Sequence, residues 1–199
     1  MGTYEAVYAT CTAICTVLEQ SRSGVLYGPD VEAVTCRVIT TGDFESDVPL
    51  AGEVVLFLYR VEINRVQRTL PPRPREDGHR EKRHLPLDLH FLLIPRAGTA
   101  ETQQVILGWM MRVLEDHPSI PATVLNSARE GVFDPEEHVE VVFESLSTEE
   151  ILRLWDQVPA DFSLSVPYSA RVVRIESPVL EEEGPPVLRR DLDFGEVER

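Results

Sequence analysis

The fold is decided by the stretch EVVLFLYRVEINRVQR, which occupies residues 53–68. Hydrophobic side chains alternate along it, as in a β-strand. The face predicted to stay hydrophobic throughout consists of Val55, Phe57, Tyr59, Val61 and Ile63. The other face begins hydrophobic and turns polar at Arg60, which is typical of a strand that is buried on both faces only at its start. We therefore expect this strand to emerge from the centre of a sheet towards solvent or a neighbouring molecule.

A second long strand is predicted over LPLDLHFLLIP, residues 85–95, because Leu87, Leu89, Phe91 and Leu93 share one face. Residues 69–83 lie between the two strands and contain three prolines, a glycine and many charges. Such a segment cannot bury a hydrophobic face, so we predict a long charged loop. The two strands that flank this loop are expected to pair as an antiparallel ribbon.

Three helices are predicted, at residues 4–18, at residues 101–116 and directly after Ser147. The third begins at a capping box formed by Ser147 and Glu150, and its inward face is predicted to comprise Ile151, Leu154, Trp155 and Val158. The hydrophobic stripe of the first helix is predicted to comprise Tyr4, Val7, Tyr8, Cys11, Ile14, Cys15 and Leu18.

Further strands are predicted at residues 33–40, 138–144 and 163–176, the last interrupted at Pro167. This order of elements indicates an α+β fold, a mixed or antiparallel sheet with about three helices packed on one face. Residues 1–176 are assigned to this domain. Residues 177–199 hold seven acidic side chains, three arginines and few hydrophobic ones, so we interpret them as an acidic, proline-containing tail.

The net charge of −15 argues against binding to duplex DNA, because phosphate would be repelled. The exception is residues 60–83, where eight basic residues stand against four acidic ones. This basic stretch on an acidic body suggests contact between copies or with a charged partner. No segment is apolar enough to span a bilayer, and residues 1–20 lack the basic region of a signal peptide. The chain is therefore expected to fold in the cytoplasm, without nucleic acid or membrane as a partner.

No motif for nucleotide binding, nucleophilic catalysis or zinc binding is found, so no catalytic, metal or cofactor residue is assigned. The residues alone neither exclude an enzyme nor argue for one. The five histidines are interpreted as scattered surface residues. The three cysteines and the two tryptophans are interpreted as core residues, and the pair Glu149–Glu150 as a helix start.

Several stretches together resemble the cap, or tail-terminator, proteins of phage-tail-like contractile injection systems, in particular their N-terminal domain. The resemblance runs from about Cys11 to Arg190. The matching stretches are Leu56–Val61 with Asn64 and Arg68, Leu85–Leu93, Leu107–Leu114, Leu146–Ile151 with Leu154 and Trp155, Tyr168–Ile175, and Pro186–Arg190.

The resemblance implies a tail-terminator-like α+β fold and a ring of six copies at the end of the inner tube and sheath distal to the baseplate. Such a ring is a structural, non-enzymatic part that stops polymerisation and anchors the sheath to the tube. Tube protein, sheath protein and other copies are therefore the expected partners. It also implies assembly in the cytoplasm into a particle whose release from the cell is left open. Alternatives are an adaptor or baseplate-type module of the same particle, and a small cytoplasmic enzyme. The assembly contacts are predicted at Arg65, Arg68, Arg73, Arg75, Arg80, Arg83, Arg189 and Arg190.

Overall fold

The computed structural model describes residues 3–44, 48–49, 51–69 and 84–178, and within them a six-stranded mixed sheet. Its spatial order is β1-β2-β3-β6-β5-β4, in which β1 pairs parallel to β2 and every other neighbouring pair is antiparallel. The strands are β1 (Thr35–Ile39), β2 (Glu53–Ile63), β3 (Leu85–Arg96), β4 (Ser119–Pro121), β5 (His138–Phe143) and β6 (Val166–Ile175). The predicted α+β class and the antiparallel ribbon of β2 and β3 are both confirmed.

The three predicted helices are present, and two single-turn helices accompany them in the described ranges. The five are α1 (Ala6–Gln20), α2 (Gly24–Tyr27), α3 (Ala100–Asp116), α4 (Ala122–Leu125) and α5 (Thr148–Trp155). Short 3-10 turns occur at Pro29–Val31, Thr41–Asp43 and Gln67–Thr69. None of these described helices has the length and apolar character needed to cross a membrane.

The prediction that all helices pack on one face of the sheet is wrong. The main core, between the sheet and α1, α3 and α4, includes Leu89, Phe91 and Leu93 of β3. The intervening residues Leu92 and Ile94 point the other way and pack with Trp155 of α5 in a smaller second core. Because β3 carries hydrophobic residues on both of its sides, both faces of the sheet must be shielded from water. Helix α5 packs on the face that α1, α3 and α4 leave open.

The predicted hydrophobic stripe of α1 is wrong at its aromatic end. Tyr4 precedes the helix and Tyr8 is exposed, with its ring 6.0 Å from the guanidinium carbon of Arg129. The buried face instead includes alanines at positions 6, 9 and 13 alongside Ile14 and Leu18. Small side chains let the helix approach the sheet closely, and a search for large hydrophobic residues overlooks them.

A β-bulge changes the faces of β2. Leu58 pairs with Phe91 and Arg60 pairs with His90, so Tyr59 has no partner of its own in the register. The extra residue reverses the alternation, and Val61 therefore lies opposite Leu89, on the face of the main core. Val61 and Ile63 are nevertheless exposed, although their partners Leu89 and Leu87 are buried, and they lie where β1 no longer flanks β2. The predicted continuous face from Val55 to Ile63 is accordingly wrong beyond Tyr59.

The predicted interruption of the last strand at Pro167 is also wrong. Pro167 is the second residue of β6 and pairs with Leu92 of β3. It lies beyond Phe143, the last residue of β5 that pairs with β6, so its missing N–H breaks no ladder on that side. The irregularity of β6 occurs instead at Val172, which has a φ of 60°.

A buried carboxylate joins the first three strands of the sheet. Glu53 at the start of β2 is 1% exposed, and its carboxylate accepts a hydrogen bond from Arg37 of β1 at 2.8 Å and forms an ion pair with Arg96 of β3 at 3.0 Å. Two guanidinium groups thereby compensate the charge of one carboxylate that water does not reach.

The substitution Glu53→Gln is predicted to lower the free energy of unfolding by about 3 kcal/mol, because it leaves the largely buried charge of Arg96 without this counterion. Urea denaturation of the purified chain measures this loss. Glu149→Gln, which removes an exposed carboxylate paired with Arg153, serves as the control and should leave the midpoint almost unchanged. Equal midpoints for the two variants would contradict the stabilising role of Glu53.

Candidate assembly surface

The end of the β2–β3 ribbon is held in place by Asn64, the residue that follows β2. Its side-chain amide donates to both carboxylate oxygens of Asp88, at 3.1 and 3.0 Å, and its carbonyl oxygen Oδ1 accepts from the N–H of Gln67 at 3.0 Å. Its own N–H donates to the carbonyl of Pro86 at 2.9 Å. The direction in which the chain leaves β2 is therefore fixed by hydrogen bonds to β3.

Asp88 also stabilises a second bulge on the opposite side of β3. Leu87 pairs with Val173 and Leu89 pairs with Ala170, so two residues of β6 stand opposite Asp88 alone. The N–H of Val172 donates to Asp88 Oδ1 at 3.0 Å. A β-branched residue with positive φ is strained, and this hydrogen bond from the bulged residue helps to hold the conformation.

A polar cluster occupies the α5 side of the sheet beyond the second core. His90 is 8% exposed, and its Nδ1 lies 2.8 Å from a carboxylate oxygen of Glu144. The hydroxyl of Tyr59 donates to the same carboxylate at 3.2 Å, and Arg60 lies 3.6 Å from it. Burial and the charge of Glu144 raise the pKa of Tyr59, so the phenol remains a donor. The interpretation of the histidines as surface residues is thus wrong for His90, which links β3 to the end of β5.

The ribbon ends in an exposed surface that combines basic and hydrophobic side chains. We call this surface the ribbon tip and define it as Val61, Ile63, Arg65, Val66 and Arg68, all of which are exposed. Neither arginine forms an ion pair with any residue in the described part of the chain. Charge counting identified the two arginines in the sequence. It missed the three hydrophobic members, which are exposed at the end of β2 and in the turn after Asn64.

The other predicted contact residues cannot be placed in this geometry. Arg65 and Arg68 are three residues apart in the turn and the 3-10 helix that follow β2, so the structure brings these two together. The remaining predicted contacts, namely Arg73, Arg75, Arg80, Arg83, Arg189 and Arg190, lie outside the described residues. The loop at 69–83, apart from Thr69, and the tail beyond Pro178 lie outside them as well.

A groove of about 320 Å³ lies between β2 and α5. Its lining includes Glu150, Arg60 and Arg153, a combination of acidic and basic side chains that also occurs in active sites. Glu150, however, accepts hydrogen bonds from the N–H and the hydroxyl of Ser147 at 2.8 and 2.7 Å, which lower the pKa of its carboxyl. This arrangement is the capping box predicted from the sequence, and it confirms the interpretation of Glu149–Glu150 as a helix start. The carboxylate is committed to the helix and remains ionised, so it is a poor proton donor.

The thiols are placed for packing. Cys11 and Cys15 are buried, as predicted, while Cys36 is half-buried. Burial raises the pKa of Cys11 to about 12, which leaves almost no reactive thiolate at neutral pH. Trp109 and Trp155 are core residues, as predicted. Across the described ranges, no group of three or more potential ligands is arranged to hold a metal ion.

The substitution Asp88→Ala is predicted to lower the free energy of unfolding by about 2 kcal/mol, because the donors of Asn64 and Val172 lose a charged acceptor. Asp88→Asn should cost less, since its carbonyl oxygen still accepts from Val172. The matched control is Asp161→Ala, which removes an exposed aspartate. Urea denaturation measures both losses. If Asp161→Ala lowers the free energy of unfolding as much as Asp88→Ala does, Asp88 does not secure the ribbon.

Comparison with known proteins gives a family and a fold. Residues 9–189 match the family described as the Pvc16 N-terminal domain. None of the curated proteins matches the chain. Among solved structures, the chain is similar to a PVC sheath/tube terminator of an extracellular contractile injection system in its extended state. The TM-score is 0.63 and the identity is 14%, and the match covers 100% of this chain and 66% of that one. It is also similar to the tube-terminating cap of the anti-feeding prophage, with a TM-score of 0.58 and 14% identity over 92% of this chain and 59% of that one. The chain thus spans less than two thirds of the length of each.

Proposed function

We propose that this chain, which belongs to the Pvc16 N-terminal domain family, is a structural cap of a contractile injection system. In this role it forms a ring that terminates the inner tube and the sheath at the end distal to the baseplate, and it anchors the sheath to the tube. The observation that carries the proposal is the family match, which extends over residues 9–189 and so includes every strand of the described sheet.

The likeness to two terminators supports the same role. At 14% identity the likeness shows a shared fold. One of the similar chains is named a sheath/tube terminator, and the other is named a tube-terminating cap. Because this chain spans 66% and 59% of their lengths, it corresponds to the part of a terminator that contains the α+β domain.

The surface chemistry suits a ring. A closed ring of identical copies in head-to-tail contact needs two different surfaces on each copy. The ribbon tip supplies a basic and hydrophobic surface, and the remainder of a chain with net charge −15 is acidic. Six copies would bind the end of a tube through six contacts at once, so weak individual contacts add up to stable attachment.

The proposed partners are other copies of this chain, in a homohexamer, together with the tube and sheath proteins. We propose assembly in the cytoplasm, followed by residence in a phage-tail-like particle, and a role without catalysis, nucleic acid or membrane binding. The tail at residues 177–199 is proposed to dock on an adjacent copy.

The decisive experiment is to locate the chain on purified particles by electron microscopy with a label fused to it. The cap role predicts label at the end opposite the baseplate and, in particles made without the chain, tubes and sheaths of irregular length. Label at the baseplate would favour the adaptor and would overturn the cap role. An unlabelled chain purified with the same particles controls for effects of the label.

The predicted contact arginines are tested in three groups by substitution with glutamate. The groups are the pair Arg65 and Arg68, the loop set Arg73, Arg75, Arg80 and Arg83, and the tail pair Arg189 and Arg190. If these side chains face acidic surfaces, particles should bind less of each variant and should vary more in length, most strongly at low salt. Arg112→Glu with Arg153→Glu gives a matched reversal elsewhere on the surface. A group whose variant caps particles as well as this control is not a contact.

A further inference from the structure

The helix α2 displays two hydrophobic side chains to solvent. Val25 is 97% exposed and Leu26 is 76% exposed, and α2 buries none of its four residues. A single helical turn is not stable alone, yet this one is capped at both ends. The hydroxyl of Ser23 accepts from the N–H of Leu26 at 3.3 Å, and Gly28, with a φ of 90°, donates its N–H to the carbonyl of Gly24 at 3.1 Å.

Acidic side chains flank this turn. Asp30 and Glu32 are exposed, and neither forms an ion pair with another residue of the described ranges. The carboxylate of Glu32 lies against the backbone of Gly24, because a Cβ placed on that glycine would stand 2.9 Å from its Oε2. We call Val25, Leu26, Asp30 and Glu32 the knob. It presents a hydrophobic centre with two negative charges beside it.

The ribbon tip has the complementary composition. Val66 is 78% exposed, Val61 and Ile63 are exposed beside it, and Arg65 and Arg68 supply two positive charges. Contact between the knob and the tip would remove hydrophobic side chains of both from water and would pair acidic with basic groups. By contrast, the groove beside α5 contains Glu150 and has Glu149 next to Arg153, so its arginines already have acidic neighbours.

The knob and the tip belong to different parts of the fold. The knob is part of the connection that enters the sheet at Thr35, which pairs with Glu53 at the start of β2. The tip begins at the far end of β2, which is eleven residues long. At about 3.3 Å per residue the two ends of β2 are more than 30 Å apart. The 3-10 turn at Pro29–Val31, which contains Asp30, contacts α3, whereas the turn at Gln67–Thr69, which contains Arg68, contacts β3. Both surfaces are exposed in the single chain and are therefore open to another copy.

We propose that the ribbon tip of one copy binds the knob of the next copy. The contact uses two different patches and is therefore head-to-tail, which is the type that closes into a ring. This inference rests on the proposed cap function, because it names the surfaces through which the ring forms.

The test uses two charge-reversed variants of the full chain. The tip variant is Arg65→Glu with Arg68→Glu, and the knob variant is Asp30→Lys with Glu32→Lys. The control, Glu130→Lys with Glu136→Lys, makes the same change of charge as the knob variant, on exposed residues elsewhere. Sedimentation over a concentration series measures the mass, which is 22.5 kDa for one chain and about 135 kDa for six. Circular dichroism verifies that each variant is folded.

We expect the unaltered chain and the control to associate, and each variant alone to associate at least tenfold more weakly. An equal mixture of the two variants should regain association, because the acidic tip of one then meets the basic knob of the other. A third variant, Val25→Ser with Leu26→Ser, should fold normally and associate more weakly, since both side chains are largely exposed in the single chain.

The inference is overturned if either variant associates like the control, if the mixture does not exceed the separate variants, or if the unaltered chain remains monomeric up to roughly 1 mM, where even weak contacts form. The cap function is judged separately by the position of the label on particles. A label at the distal end together with any of these results would retain the cap and reject the knob as its contact.

Discussion

The carboxylate of Asp88 holds the end of β2 and the bulge of β6 against β3. This single side chain accepts hydrogen bonds from Asn64, where the chain leaves β2, and from the bulged Val172 of β6. Asp88 stands in the middle strand of the three, so it fixes the geometry of both neighbours at once. Leu87 and Leu89 on either side of it are buried in the main core, while Val61 and Ile63 of β2 are exposed. The carboxylate therefore adds a strong, directional set of hydrogen bonds where β2 itself has little hydrophobic packing.

Much of the fold could be predicted from local patterns. Hydrophobic alternation located β2 and β3, and the capping box at Ser147 located the start of α5 within one residue. Local patterns predicted less accurately which face of the sheet each side chain occupies. A bulge such as the one at Tyr59 leaves the composition of a strand unchanged while it reverses every later residue. The side of the sheet covered by α5 also depends on contacts with Ile94 and Val55, which are remote in sequence.

The candidate surface was predictable in its charge and not in its shape. A count of basic residues drew attention to Arg65 and Arg68, because charge is a property of the sequence itself. The alternation along β2 predicts a buried face for Val61 and Ile63, whereas both are exposed at the end of the strand that leads to those arginines. The knob gave no periodic signal because α2 is one turn long. Its sequence signs were local, with a serine before the turn and a glycine after it.

The parallel pairing of β1 with β2 has a further consequence for solubility. β1 covers β2 only from Glu53 to Phe57, so within the described part of the chain the segment from Leu58 to Ile63 has no strand along that side. An open strand edge can recruit any extended chain and so start aggregation. Here that edge carries Arg60 and Glu62 and contains a bulge, features that oppose indiscriminate strand addition. The charges and the bulge of this edge therefore protect it from indiscriminate pairing with other strands.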